Sequence, residues 1–390
     1  MSIGLLLLLV LSGCWNSIEL NDRAFVKMIM IDKAESGMEV TLAFPLPNRL
    51  IPGQAGGSGG QGQNPFTYVS KKGRDIGEAY RFIQSDLSRK ITFGQTTVII
   101  IGSALAKEGI QPILEFVARE PRFHINAAVF VAPEKAQAIA AVPIVFERFP
   151  FDILVAYSKQ HLTVQTTVKD SLMASFVGGD MLIPMLHFET KTIPTEKQSI
   201  MKWMGTDGAA IFKQGKMVAE LNTNEMRGAL WIQETIKDSE ITVPSTKDGK
   251  EVSFIVKNNH TTIKPVVSGD QITMNIYTKA DADLISSESD INFKDGKQRA
   301  ILENDLARLV EDRMSKAITK SQGAGADVFQ FGNHIDWNYP HKWSEIESQW
   351  RTIYAKRVKF NIQSRIVIKH LGTEKNPLRI RNNTRTEVGA

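Results

Sequence analysis

The chain contains one cysteine, Cys14, which follows the apolar run Ile3 to Val10 and closes the tetrapeptide Leu11-Ser12-Gly13-Cys14. A lone cysteine cannot form an intramolecular disulfide, so whatever this chain folds into is held by packing alone. Its position says more. The apolar stretch falls short of the ~20 residues a helix needs to cross the hydrocarbon core, and Asn16, Glu19, Asn21, Asp22 and Arg23 follow at once, so a transmembrane anchor fits poorly. An export signal ending in small residues and a thiol fits well. The thiolate can take a diacylglyceryl group as a thioether, and Ser12 and Gly13 let a peptidase reach the backbone before it. Residues 1–13 are therefore expected to be a lipoprotein signal peptide, with Cys14 lipidated as the new amino terminus. The one departure is that no Lys or Arg precedes Cys14, where a signal normally opens basic. At ~0.8 kcal/mol per buried methylene, two or more acyl chains hold a protein at a membrane durably where one does not.

The rest reads as ordinary globular sequence: 390 residues, 42% hydrophobic and 23% charged, gives length for two or three domains. The net charge of +5 is unevenly placed, because Arg351, Lys356, Arg357, Lys359, Arg365, Lys369, Lys375, Arg379, Arg381 and Arg385 face only Glu374 between 351 and 385.

Ala24 to Ile31 and Met38 to Phe44 read as a hairpin around a polar turn. Residues 53–63 are so rich in glycine that they are expected to form a flexible loop. Asp75 and Glu78 suggest a capping box, with Ile76, Ala79, Tyr80, Ile83 and Leu87 on one helical face. Thr96 to Ile101, a β-branched run, suits a strand covered on both sides. Ser103 can cap the helix that follows, and Ile125 to Val131 is the next strand, so a right-handed β-α-β unit with parallel strands is expected. A helix is expected after Pro133, and 150–176 reads as mostly helical.

From Gly208 the pattern changes. A small hairpin about Gly215 and a helix over 224–231 precede strands Val252–Val256 and Ile272–Tyr277, which alternate apolar and polar residues. The longest helix, roughly 297–320, carries the stripe Leu302, Leu306, Leu309, Val310, Met314 and Ala317. Trp343, Ile346, Trp350 and Ile353 mark another amphipathic helix. The last strand turns Val358, Phe360, Ile362, Ile366 and Ile368 to one side and Arg357, Lys359, Arg365 and Lys369 to the other.

Motifs that would carry chemistry do not hold up. Gly56-Gly57-Ser58-Gly59-Gly60 fits a nucleophile elbow and Gly57, Gly59 and Gly62 fit a dinucleotide fingerprint, but each needs a strand entering and a helix leaving, and Asn64-Pro65-Phe66 follows instead. His334, Asp336 and His341 match no standard metal-ligand spacing and sit among Trp337, Tyr339, Pro340 and Trp343, as a packing segment would. No catalytic, cofactor-binding or metal residue is assigned. The basic face of the last strand has two readings: a solvated sheet face, or a surface for anionic headgroups or an acidic patch of a membrane partner. Nucleic acid is not an expected partner for an exported, lipid-anchored protein.

Three blocks resemble a known family. Leu11-Ser12-Gly13-Cys14-Trp15 with Glu19-Leu20-Asn21-Asp22 and the strand ending Ile31-Asp32-Lys33 is similar to the start of the Ger(x)C lipoproteins, the C subunits of spore germination receptors. Gly94-Gln95-Thr96-Thr97 through Gly102-Ser103-Ala104-Leu105-Ala106-Lys107-Glu108-Gly109-Ile110 resembles a second family block, with Gln95 where the family often has His. Asp327-Val328-Phe329-Gln330-Phe331-Gly332-Asn333 and Tyr339-Pro340-His341-Lys342-Trp343 resemble a third. The resemblance implies a non-enzymatic subunit of a nutrient germinant receptor on the outer face of the spore inner membrane. Its implied partners are a membrane-embedded A subunit and a multi-spanning B subunit. The only functional residue the resemblance carries over is Cys14.

The expected fold is thus α+β and multi-domain. An N-terminal α/β domain over 14–200 contains the β-α-β unit, and a small middle segment covers 201–238. A C-terminal α+β domain over 239–372 is an antiparallel sheet packed by long helices, and a flexible basic tail spans 373–390. Two other classes compete. A solute-binding lipoprotein of a transporter would show two similar α/β lobes around a cleft, and an envelope hydrolase would need a convergent nucleophile and base.

Overall fold

The β-branched run predicted to be a covered strand is covered: Val98, Ile99, Ile100 and Ile101 are all essentially buried. In the computed structural model, residues 19–46, 64–144, 147–192 and 200–371 are described. Cys14, the glycine-rich loop 53–63 and the tail 373–390 lie outside the described residues. The described residues form ten α-helices and three sheets, and the chain divides into two units.

The first unit holds most of the chain up to Val155. Its strands are β1 (Arg23–Phe25), β2 (Met28–Lys33), β3 (Met38–Pro45), β4 (Phe66–Gly73), β5 (Lys90–Thr92), β6 (Val98–Gly102) and β7 (Ala128–Ala132). Five of them follow the order β7-β6-β2-β3-β4. The hairpin β2–β3 is antiparallel, whereas β2–β6 and β6–β7 are parallel, so the expected β-α-β crossover is present. Helix α1 (Ile76–Ser85) follows β4, and α2 (Ser103–Glu108) and α3 (Gln111–Arg119) connect β6 to β7.

Two local expectations shift by one residue. Asp75 caps α1 by accepting from Glu78 N, but the Glu78 carboxylate reaches back to the backbone N–H and guanidinium of Arg74 rather than to the cap itself. Ser103 is the first residue of α2 and buried, and the cap is Gly102, which has no side chain to offer. The helix expected after Pro133 is a 3-10 turn over Ala136–Ala141. Along the chain, 150–176 resolves into α4 (Pro150–Lys159) and α5 (Val168–Phe176) with His161 between them at φ 55°. Strand β8 (Met181–Thr192) follows, a strand that periodicity did not announce.

The second unit comprises residues 205–371 together with 156–166 and 173–186. Strands β9 (Ile200–Lys213) and β10 (Lys216–Leu221) close a hairpin at Gly215, φ 74°, and lead into α6 (Thr223–Ile232), which opens with a full capping box between Asn222 and Glu225. A four-stranded sheet then runs in the order β11 (Ser239–Pro244), β12 (Glu251–Ser268), β13 (Gln271–Ser287), β14 (Lys359–His370). Strands β12 and β13 reach far beyond the short segments expected from alternation. β11, β12 and β13 pair antiparallel as expected, but β14 joins β13 parallel. That direction is imposed by what lies between them: α7 (Gly296–Ala324), α8 (Phe331–Asn338), α9 (Pro340–Ile346) and α10 (Trp350–Lys356) carry the chain back over the sheet, as a parallel connection requires. The predicted single helix around Trp343 and Trp350 is thus two, separated by a 3-10 turn at Glu347–Gln349.

Helix α7 begins at the cap Asp295 and ends at Gly325 in the left-handed conformation, φ 63°. Its buried face is Leu302, Leu306, Val310, Met314, Ala317 and Ile318, with Leu309 only partly covered. Each such side chain contributes roughly 1.5–3 kcal/mol of burial before the cost of ordering it. Helix α6 approaches α7 closely enough that a Cβ on Gly228 would lie 2.1 Å from Arg313 O.

Candidate interaction surface

One face of the four-stranded sheet is core and the other is not. On β12, β13 and β14 the positions Ile272, Met274, Ile276, Ile366 and Ile368 are buried under the helices, and the alternate positions point outward. Register decides which outward side chains are neighbours. Lys264 of β12 lies opposite Asn275 of β13, which lies opposite Asn361 of β14. One step along, Thr262, Tyr277 and Gln363 form a row, and in the next Lys279 lies opposite Arg365. At the other end Val266, Thr273 and Lys359 align. Tyr277 and Val266 are exposed at 41% and 47%, high for an aromatic and a β-branched side chain.

The face is polarised. Where β11 pairs with the first half of β12 it carries Glu240 and Glu251, and nearby Asp283 and Asp281 are met by Lys257 at 2.8 Å and Lys369 at 3.8 Å. Past the irregularity between Lys257 and His260, the cations Lys264, Lys279, Lys359 and Arg365 have no carboxylate within 4.0 Å among the described residues. His260 is occupied by Glu234 at 2.8 Å.

The outer edge of β14 is closed by carboxylates rather than by charge on the strand. Glu311 of α7 accepts from Ser364 N at 2.7 Å and Glu303 from Ile368 N at 3.0 Å, which satisfies N–H groups that an edge strand otherwise offers to another chain. Before β14, the chain is fixed by a buried polar node. Asp327, 7% exposed, accepts from Phe331 N (2.9 Å), Gly332 N (2.8 Å) and Trp350 Nε1 (2.9 Å). Burial pushes its carboxyl up to about 6, against the pull of those three donors. Its own N–H donates to Asp180, whose carboxylate also takes Arg351 in a two-pronged contact, 3.0 and 3.3 Å. Gln330 holds φ 57°, and Gly332 lies where a Cβ would come within 2.7–3.1 Å of the Trp343 and Trp350 rings.

The other motif blocks are built the same way. At the end of β2, Asp32 is 3% exposed and accepts from Ala136 N (2.7 Å) and Gln137 N (3.0 Å), anchoring the 3-10 turn. A Cβ on Gly102 would meet Asp32 Oδ1, and Thr96 and Thr97 donate to the carbonyls of Val26 and Lys27. The buried carboxylates of the first and third blocks therefore serve as acceptors for N–H groups that would otherwise be orphaned.

Of the residues singled out from sequence, Cys14 lies outside the described residues. Lys359, Arg365 and Lys369 are exposed on β14 as expected, with Lys369 drawn to Asp281. Arg357 departs from expectation: it is the C-cap of α10 and precedes the strand, because Tyr354 and Ile353 hold the helix one turn further. His334 packs its ring on Trp337 at 5.2 Å, and burial lowers its pKa. Among the described residues no group of three or more His, Cys, Asp or Glu could hold a metal ion. Sequence reasoning missed Lys264, Lys279 and Tyr277, which join the basic face only through register. Tyr277 stood in the alternating run read from the sequence, whereas Lys264 and Lys279 lie on the parts of β12 and β13 beyond the runs read there.

Two family-domain models match the chain. Residues 16–188 match the spore germination protein N-terminal domain, and residues 207–372 match the domain described as spore germination B3/GerAC like, C-terminal. Among curated relatives, spore germination protein KC of Bacillus subtilis (strain 168) is 25% identical over 96% of both chains. Spore germination protein B3 of the same organism is 23% identical over 94% of this chain and 96% of its own. The crystal structure of the GerBC protein superposes with a TM-score of 0.57 at 18% identity, covering 87% of this chain and 96% of that one.

Proposed function

Because the chain belongs to the GerAC-like family of spore germination receptor C subunits, we propose that it is a lipid-anchored, non-enzymatic subunit of a nutrient germinant receptor. It acts as a scaffold on the outer face of the spore inner membrane and works with the membrane-embedded A subunit and the multi-spanning B subunit. Acyl chains on Cys14 hold it at the bilayer, and Lys359, Arg365 and Lys369, with Arg357 beside them, face anionic headgroups.

The observation that carries this reading is the arrangement of the sequence: Leu11-Ser12-Gly13-Cys14 stands immediately before two family domains in order, at 16–188 and 207–372. Two features support it. Among the described residues no helix is long and apolar enough to cross a membrane. The two units also have different topologies, which does not favour the paired lobes of a solute-binding lipoprotein.

Spores carrying Cys14→Ala test the proposal. The expected result is loss of the protein from the inner-membrane fraction and impaired germination in the nutrient the receptor answers. Normal germination with the protein still in place would sink it. Intact-mass measurement of the native protein should find the amino terminus at a diacylglyceryl Cys14, and capture from spore membranes should bring multi-spanning partners with it.

A further inference from the structure

We infer that the half of the sheet face past the Lys257/His260 irregularity docks flat on an anionic bilayer surface, through Lys264, Lys279, Lys359 and Arg365 around Tyr277. The inference rests on the reading that acyl chains tether this chain to a membrane, and it assigns the tethered body a side that faces the lipid.

Three observations carry it. First, Lys279 and Arg365 are in direct register on neighbouring strands, an arrangement of like charges that weakens a sheet unless something negative lies over it. Neither has a carboxylate within 4.0 Å among the described residues, although the acids at the other end of the same face are met by Lys257 and Lys369. Second, the ordinary explanation of basic residues on a sheet, protection of an edge strand, does not reach Lys279. Lys264 lies on the part of β12 beyond β11, itself an edge, but Lys279 sits on β13 between β12 and β14, and the β14 edge is already met by Glu303 and Glu311. Third, the cations surround an exposed Tyr277 and Val266, an amphipathic ring and an apolar side chain of the kind that settle at headgroup level.

A planar array of four cations suits a planar array of phosphates. Each Lys or Arg held near such a surface adds about five-fold to surface affinity, the equivalent of about 1 kcal/mol, and the gain is lost as salt screens it. For a body already tethered by lipid, that is enough to fix which face looks down.

The test uses the full mature chain in two forms. In the lipidated form the thiol of Cys14 is consumed, and in a Cys14→Ser form it is absent, so a cysteine introduced at Val266 takes a polarity-sensitive fluorophore uniquely. A second label site at Thr319, on the exposed side of α7, serves as control. Vesicles are phosphatidylcholine with and without phosphatidylglycerol, some carrying nitroxide-labelled lipid.

On phosphatidylglycerol vesicles the Val266→Cys label should become apolar and be quenched by nitroxide, and the Thr319→Cys label should not. Raised salt should reverse the signal. For the Cys14→Ser form, the combined Lys264→Gln, Lys279→Gln and Arg365→Gln change should lower vesicle affinity about a hundred-fold. These positions are exposed, so the variant should keep its circular dichroism spectrum and melting point.

A label at Val266 that stays in water on anionic vesicles overturns the inference, as does equal burial on phosphatidylcholine alone. Burial that appears only when the receptor's membrane subunits are co-reconstituted also overturns it and assigns the face to an acidic protein patch. Flotation separates this from the parent reading. A native-host chain that fails to float with vesicles refutes the tether, whereas a chain that floats with its sheet face in water refutes only the docking.

Discussion

Replacing Gly228 with alanine should destabilise the second unit, against the direction that helix propensity alone dictates. Gly228 lies in the interior of α6, where alanine is favoured over glycine by about 1 kcal/mol. A Cβ there would lie 2.1 Å from Arg313 O, 2.4 Å from Arg313 C and 2.8 Å from Met314 N. These are backbone atoms in the middle of a 29-residue helix, so no side-chain rotation relieves the contact. The helices have to move apart by about an ångström, and a gap of that size forfeits a quarter to a half of the dispersion attraction across it. The side chains affected include Met226, Ala229 and Leu230 on α6 and Val310, Met314 and Ala317 on α7, all buried. Overpacking of this kind typically costs about 1–3 kcal/mol and the lost packing adds to it, so after the gain in propensity the net loss is about 2–4 kcal/mol. Gly323→Ala is the matched control. It is also helical, in the last turns of α7, with nothing within 4 Å of its Cβ, and should be neutral or stabilising by up to about 1 kcal/mol. Calorimetry of the full chain, resolving the transition of each unit, makes the comparison. Gly228→Ala melting at or above the wild type would refute the argument that backbone contact sets the α6–α7 spacing.

Three more outcomes are expected. With the Asp327 carboxyl raised from 3.8 to about 6, the folded state holds that proton more tightly than the unfolded chain. Its contribution to stability is therefore greatest below about pH 4 and declines as pH rises through 6. Urea unfolding of wild type minus Asp327→Asn across that window should show the slope, and a flat difference would contradict it. Removing both edge carboxylates, Glu303→Ala with Glu311→Ala, uncovers the Ser364 and Ile368 N–H groups, and light scattering should detect self-association that the wild type lacks at the same concentration. Separately, Gly332→Ala should unseat Trp343 and Trp350 and redden the tryptophan emission, because the added Cβ meets both rings.

Local order was legible where periodicity and composition act alone: the β2–β3 hairpin, the β6–β7 crossover, the α7 stripe and the inward residues of β14 all follow from spacing. Strand lengths were not, because β12 and β13 run on through Lys264 and Asp281, polar residues that only pairing with a neighbour keeps extended. Nor was the cap of α2, since the site that looked like a serine cap is filled by the packing of Gly102 on Asp32. The motif blocks could be recognised by their residues, but what those residues do could not. Asp327 and Asp32 stand in their blocks without an assigned role until their N–H donors are seen.

By itself the sequence determined that one thiol is available and where it sits, that a β-α-β unit precedes a stretch of alternating strands and long helices, and that the end of the chain is basic. Those are properties of residue order, and residue order sets hydrophobic period and charge directly. Only the tertiary structure decided that β14 lies parallel to β13, and with it that Lys279 meets Arg365 and that Lys264 and Tyr277 share their face. Strand register is fixed by the fit of buried side chains far apart in the chain, so a surface assembled across three strands exists only once that core has closed.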